Sequence, residues 1–274
     1  MDHELADPLS YYKAILSTLA KLAAAHKAGR LDPYVDQLFP FSPEVSAAED
    51  AIPYDEAGLR DVIAKYAAFA KNHPQLMPAP LTTPAFIAKL ERDALHILRH
   101  EATLKHYLHA NRDYIALGHF NANIDNAWFS RDPVGKLECG LLDWQRARQM
   151  NVGYILWGGL CGARQEIWEH HLDELLDQFI GEFHALGGPK LDKAEVRLHL
   201  DLYAATMGLA GLIICPGLVL SRLPEAVQAS SPLDPIFHKN EVARSYLNVF
   251  TVLLSLWQKD DFGARVDQVL ERVS

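Results

Sequence analysis

The sequence predicts a mainly α-helical protein with one central β-hairpin. Three observations carry this. Apolar residues recur at three-and-four spacing over long stretches on both sides of residues 117–145. Inside that window the pattern changes to two short strand-like runs around a proline and glycine turn. Most proline and glycine clusters fall between the periodic stretches, where they punctuate helices. With 274 residues, 49% apolar and 22% charged, the chain has ordinary globular composition and can bury a substantial core.

Residues 8–28 form the first expected helix, with Tyr12, Ile15, Leu19, Leu22 and His26 on one face and Gly29 as its stop. Residues 30–56 are an acidic connection punctuated by Pro33, Pro40, Pro43 and Pro53. A second helix covers 57–71, and Pro74, Pro78, Pro80 and Pro84 extend the chain after it. Thr83 followed by Pro84 is a hydroxyl cap and a first-turn proline. The helix they open runs to 110, with Ile87, Leu90, Ala94, Ile97, Leu104 and Leu108 on its buried face.

The hairpin pairs Ala127–Ser130 with Leu137–Leu142 around Asp132, Pro133 and Gly135. Helices are expected near 154–186, 192–220, 239–258 and 260–272. Gly187, Gly188 and Pro189 separate the first two, and Asp192 with Glu195 resembles a capping box. Residues 202–220 carry no charge and approach the length of a membrane span. Gly208, Gly211, Pro216 and Gly217 interrupt them, so they read as a buried helix and no membrane is expected.

The formal net charge of -9, with no lysine or arginine run, argues against nucleic acid as a partner. Cys139, Cys161 and Cys215 form no CxxC pair, which fits a reducing, cytoplasmic setting. The first ten residues are acidic and lack the apolar core of a signal peptide.

Candidate chemistry concentrates between His119 and Asp143. Asn126 and Asp143 flank the strand–turn–strand unit, which can bring an amide oxygen and a carboxylate together around one hard cation. Oxygen ligands of this kind suit Mg²⁺ held against phosphates. The loop reads His119-Phe120-Asn121-Ala122-Asn123-Ile124-Asp125-Asn126, and the hairpin ends in Leu141-Leu142-Asp143-Trp144-Gln145.

In this order of elements the chain resembles the C-terminal lobe of the aminoglycoside, choline and ecdysteroid kinase-like phosphotransferases, whose loop reads H-G-D-x-x-x-x-N and whose hairpin ends in D-[FW]. The resemblance spans most of the chain in element order and is specific over 117–145. It implies one protein-kinase-like C-terminal lobe over 1–274, with a loop–hairpin core at 117–145 and a helical remainder at 152–274. It further implies ATP and Mg²⁺ as cofactors and a small-molecule hydroxyl as acceptor.

Residue by residue, Asn126 and Asp143 match the family's metal positions, and His119 matches its chiefly structural histidine. Asn121 stands where the family has its catalytic aspartate, and Phe120 where it has glycine. A neutral amide cannot accept the acceptor's proton, although phosphoryl transfer rests largely on positioning and electrostatics. Only Gly29 and Gly58 precede Gly118, so the N-terminal lobe's glycine-rich loop has no counterpart, nor does its phosphate-pairing lysine. A truncated or one-lobed protein is therefore expected, with self-association over the face a second lobe would cover. A non-catalytic, pseudokinase-like binding module and an unrelated helical protein are the alternatives.

Other motifs read as structural. Asp261-Phe262-Gly263 spells a kinase triplet in a helical stretch with no hairpin before it. His96 and His100 share a helix face but continue into no metalloprotease motif. Trp144, Trp157 and Trp168 read as core before pocket, and Glu166, Glu169 and Asp173 as a solvated face before a cation-attracting one.

Overall fold

Asp7 accepts a hydrogen bond from the Ser10 N–H at 3.3 Å and Pro8 occupies the first helical position, so α1 (Pro8–Lys27) starts on a side-chain cap. It ends at Gly29, whose φ of 61° only glycine adopts without cost. The computed structural model describes residues 2–273, apart from the side chain of His3. After α1 come α2 (Val35–Leu38), α3 (Pro43–Ala48), α4 (Glu56–Asn72) and α5 (Pro84–Ala110). Four strands follow: β1 (Ile115–Gly118), β2 (Ala127–Arg131), β3 (Leu137–Leu141) and β4 (Arg148–Asn151). The remainder is helical: α6 (Val152–Leu160), α7 (Gln165–His170), α8 (Leu172–Ala185), α9 (Lys193–Met207), α10 (Cys215–Arg222), α11 (Glu241–Lys259) and α12 (Phe262–Val273).

The protein is thus mainly helical with a small antiparallel β region, as its periodicities predict. That region holds two ladders where the sequence predicts one. The expected hairpin pairs β2 with β3, Ala127 opposite Leu141 and Arg131 opposite Leu137. A second ladder pairs β1 with β4, Ile115 opposite Asn151 and Gly118 opposite Arg148. Two further differences concern helix continuity. The stretch 154–186 divides into three helices because the chain turns at Cys161–Arg164 and breaks again at His171; the Leu160 carbonyl freed at the first break accepts from the Ala163 N–H and the Trp168 indole. The stretch 192–220 is broken by a π-helical turn, Gly208–Leu212, and by Pro216, which lacks the N–H to continue a helix and sits in the first turn of α10.

The chain packs as two compact units, one comprising 1–49 and 105–203, the other 50–104 and 204–274. In the first, α1 lies against α8, α6, β1 and β3, burying Tyr12, Ile15, Leu16 and Leu19. All nine residues of α6 are buried. In the second, Tyr66 of α4 meets Phe250 of α11 edge-on, and its hydroxyl donates to the Leu81 carbonyl at 2.6 Å. Asp93 of α5, 2% exposed, accepts from Lys89 at 2.6 Å and from the Trp257 indole at 3.3 Å.

No single helix among the described residues is long and apolar enough to cross a membrane. The bent pair Lys193–Leu212 and Cys215–Arg222 meets that test by length and composition only, with a 45° bend at the break. Asp261 caps α12 through the Ala264 N–H, and Phe262 is buried against Trp257, so that triplet is a helix start. His96 bonds Asp267 at 2.8 Å, Trp157 and Trp168 are buried side by side, and Asp173 pairs with Lys193. Trp144, expected in the core, is instead 46% exposed, because it follows the hairpin's last strand in a short exposed turn.

Candidate functional site

The loop between β1 and β2 is held from three directions. Gly118 ends β1 beneath Ile155 of α6, where an added Cβ would lie 2.4 Å from Cγ1. Gly158, one turn further along α6, lets the helix meet the loop backbone; a Cβ there would stand 2.0 Å from the Phe120 carbonyl oxygen. The β1–β4 and β2–β3 ladders fix the two chain ends that enter and leave the loop.

His119 is 1% exposed and both of its ring nitrogens are committed. Nε2 lies 2.8 Å from the Leu142 carbonyl, and Nδ1 accepts from the Asn121 N–H at 3.2 Å. A carbonyl can only accept, so the proton resides on Nε2 and the ring is neutral. Burial lowers its pKa, against opposition from the Leu142 hydrogen bond and the nearby Asp143 charge. The ring also meets Trp144 edge-on at 4.8 Å. His119 therefore braces the loop's start against the hairpin's end.

Asn121 is locked by its neighbours. Its Oδ1 accepts from Asn123 at 2.6 Å, and its carbonyl accepts from Asn126 Nδ2 at 3.0 Å. Asn123 in turn accepts from the Asp125 N–H. Because Asn126 Nδ2 donates inward, its Oδ1 is the end left to face a ligand, and no hydrogen bond reaches it among the described residues.

The Leu142 N–H donates to the Asn126 carbonyl at 2.8 Å, extending the β2–β3 ladder by one pair. Asn126 is thereby brought opposite Leu142, one residue from Asp143. Asp143 has φ 60° and ψ 62°, a left-handed conformation that is uncommon for a residue with a side chain. Its carboxylate is exposed and accepts no hydrogen bond among the described residues. Such backbone outliers cluster where a site over-determines the conformation.

Three features of the site carry no sequence signal. The Arg146 guanidinium lies 4.4 Å from the centre of the Phe120 ring, which meets Tyr154 edge-on at 4.7 Å. Gly158 backs the loop, although α6 is apolar throughout and its glycines look interchangeable. Trp128 lies across Gly140, where a Cβ would come 2.1 Å from the indole nitrogen. With Trp128 52% and Leu142 50% exposed, a large apolar surface stands open beside Asn126.

Two side-chain oxygens without partners, one of them charged, suit a hard divalent cation completed by water or phosphate oxygens. No cluster of three or more His, Cys, Asp or Glu among the described residues could hold a metal alone, so an all-protein cage is not what the site offers. His96 and His100 stack edge-on and make no such group either. No family model matches the chain, and no curated protein or solved structure is significantly similar to it.

Proposed function

We propose that this chain is the loop-bearing, C-terminal-lobe-like part of a small-molecule phosphotransferase. In this reading Asn126 and Asp143 hold Mg²⁺ against the phosphates of ATP, and Asn121 orients a hydroxyl acceptor. The observation that carries it is the Leu142–Asn126 backbone bond, which draws Asn126 toward a left-handed, exposed Asp143. The bound metal would offset phosphate charge. The chain's own residues fix the backbone on either side, His119 at Leu142 and the hairpin ladder beside Asn126, and the Asn121 carbonyl orients the Asn126 amide. The exposed Trp128 and Leu142 are consistent with a surface that a ligand or further protein covers. Three free thiols are consistent with a cytoplasmic protein.

A second reading is supported by Asn121 itself. Its amide cannot act as a base, and its Oδ1 is already engaged by Asn123. In this reading the site binds nucleotide, or a partner, without transfer.

Calorimetric titration with ATP tests both. Saturable binding that requires Mg²⁺ and is lost in Asp143→Ala supports the metal–phosphate site; metal-independent binding surviving that substitution, or none at all, refutes it. Asn121→Asp then separates the readings. A rise in phosphate transfer to a hydroxyl acceptor favours the enzyme, whereas unchanged inactivity with binding intact favours the module.

A further inference from the structure

A second concavity lies in the first unit, bounded by α1, α8 and the β2–β3 hairpin. It encloses about 500 Å³, within the range of small-ligand sites. Its charged groups divide into those already satisfied and those not. Lys13 is paired with Glu174, and both oxygens of Glu182 accept hydrogen bonds, one from Ser17 and one from Gln178. Lys21 on the α1 wall and Lys136 at the hairpin turn make no side-chain hydrogen bond or ion pair among the described residues, and both are exposed. Glu138 is the one carboxylate of the groove without such a partner, so two ammonium groups and one carboxylate have no bound neighbour, while Glu182 keeps its negative charge against neutral donors.

The same groove is bordered by Trp128, whose ring is held across Gly140 and half exposed. An indole fixed on a strand by a missing Cβ is a rigid platform. It offers apolar area at low entropic cost to a planar partner. Burial raises the pKa of the Cys139 thiol beside it, which disfavours the thiolate.

We propose that this groove binds a small aromatic anion, its ring against Trp128 and its carboxylate or phosphate between Lys21 and Lys136. The two lysines come from different walls, so an anion between them neutralises both, and the ring buries indole surface that water otherwise covers. This site shares neither Asn126 nor Asp143 with the metal–phosphate reading and needs no metal.

Calorimetric titration of the intact chain with 2-naphthoate and 2-naphthyl phosphate, in chelator, tests the proposal, with 2-naphthamide and 2-naphthylmethylammonium as neutral and cationic counterparts. Saturable one-to-one binding is expected for at least one anion, with the neutral and cationic compounds about tenfold or more weaker. The relative affinities of the two anions identify the preferred headgroup. The double variant Lys21→Met, Lys136→Met should bind the anion about tenfold more weakly and the amide unchanged. Both lysines are exposed, so the fold should survive, and an unchanged melting temperature verifies that. Asp143→Ala should leave anion binding intact, which separates this site from the metal site. The proposal is overturned if no compound saturates, if charge makes no difference among the four, or if the lysine variant binds the anion as the parent does.

Discussion

The Nε2–H of His119 donates to the carbonyl of Leu142 across 2.8 Å, joining the first residue of the loop to the residue before Asp143. Both contacts hold together only while Nδ1 is unprotonated, since Nδ1 accepts from the Asn121 N–H. Truncation to alanine would leave a part-buried carbonyl and a part-buried N–H unmatched. His119→Ala should therefore cost about 2 kcal/mol in chemical denaturation.

The same ring gives stability a pH dependence of definite sign. Burial lowers the folded pKa of His119 and likewise that of His109. A group whose folded pKa is depressed contributes stability above its unfolded value, about 6.5 for histidine, and loses it as pH falls toward the folded value. Melting temperature should drop on going from pH 7.5 to 5.5, and His119→Gln, which cannot protonate there, should reduce the slope. An unchanged slope in that variant would show that His119 is not the titrating group.

Glycines at two positions should respond in opposite directions to alanine. At Gly158 the new Cβ would press on the Phe120 carbonyl, a backbone atom that cannot swing aside. Gly158→Ala should destabilise by about 1–3 kcal/mol and weaken ligand binding at the loop. At Gly181 of α8 an added Cβ would meet nothing within 4 Å, so Gly181→Ala should stabilise by about 0.5–1 kcal/mol through helix propensity. Paired melting curves of the two variants test the contrast.

Much of the architecture is legible in the sequence. The caps at Thr83 and Asp192 work as their residue types suggest, through the N–H groups of Phe86 and Glu195. The Asp132 turn closes the hairpin through Val134 and Lys136. The β1–β4 ladder is not legible, because Ile115–Gly118 is buried throughout and shows no alternation, while Arg148–Asn151 is polar in sequence yet largely buried. At the site, the hairpin spacing announces that Asn126 and Asp143 can approach. The engagement of Asn121 by Asn123, and the Arg146–Phe120 contact, depend on loop conformation and have no periodicity to betray them.

Asp143 sets stability against binding. Its left-handed backbone costs on the order of 1 kcal/mol relative to a glycine at the same place. Asp143→Gly should melt higher than the parent while losing Mg²⁺-dependent nucleotide affinity. A lower melting temperature would mean that the carboxylate itself stabilises the fold.

In the second unit, Asp93 collects Lys89 and the Trp257 indole in a nearly solvent-free position. Arg92 pairs with the other carboxylate oxygen at 2.9 Å, so Asp93→Ala removes the acceptor of three donors, and a loss of about 3 kcal/mol or more is expected in denaturant titration.

The central claim is that Asn126 and Asp143 together bind a divalent cation with nucleotide phosphate. Paramagnetic broadening by Mn²⁺, added with ATP to isotopically labelled protein, locates such an ion directly. The account predicts signal loss centred on residues 119–126 and 141–146, abolished in Asp143→Ala and reduced in Asn126→Ala. Broadening centred elsewhere, or unchanged by Asp143→Ala, would contradict it.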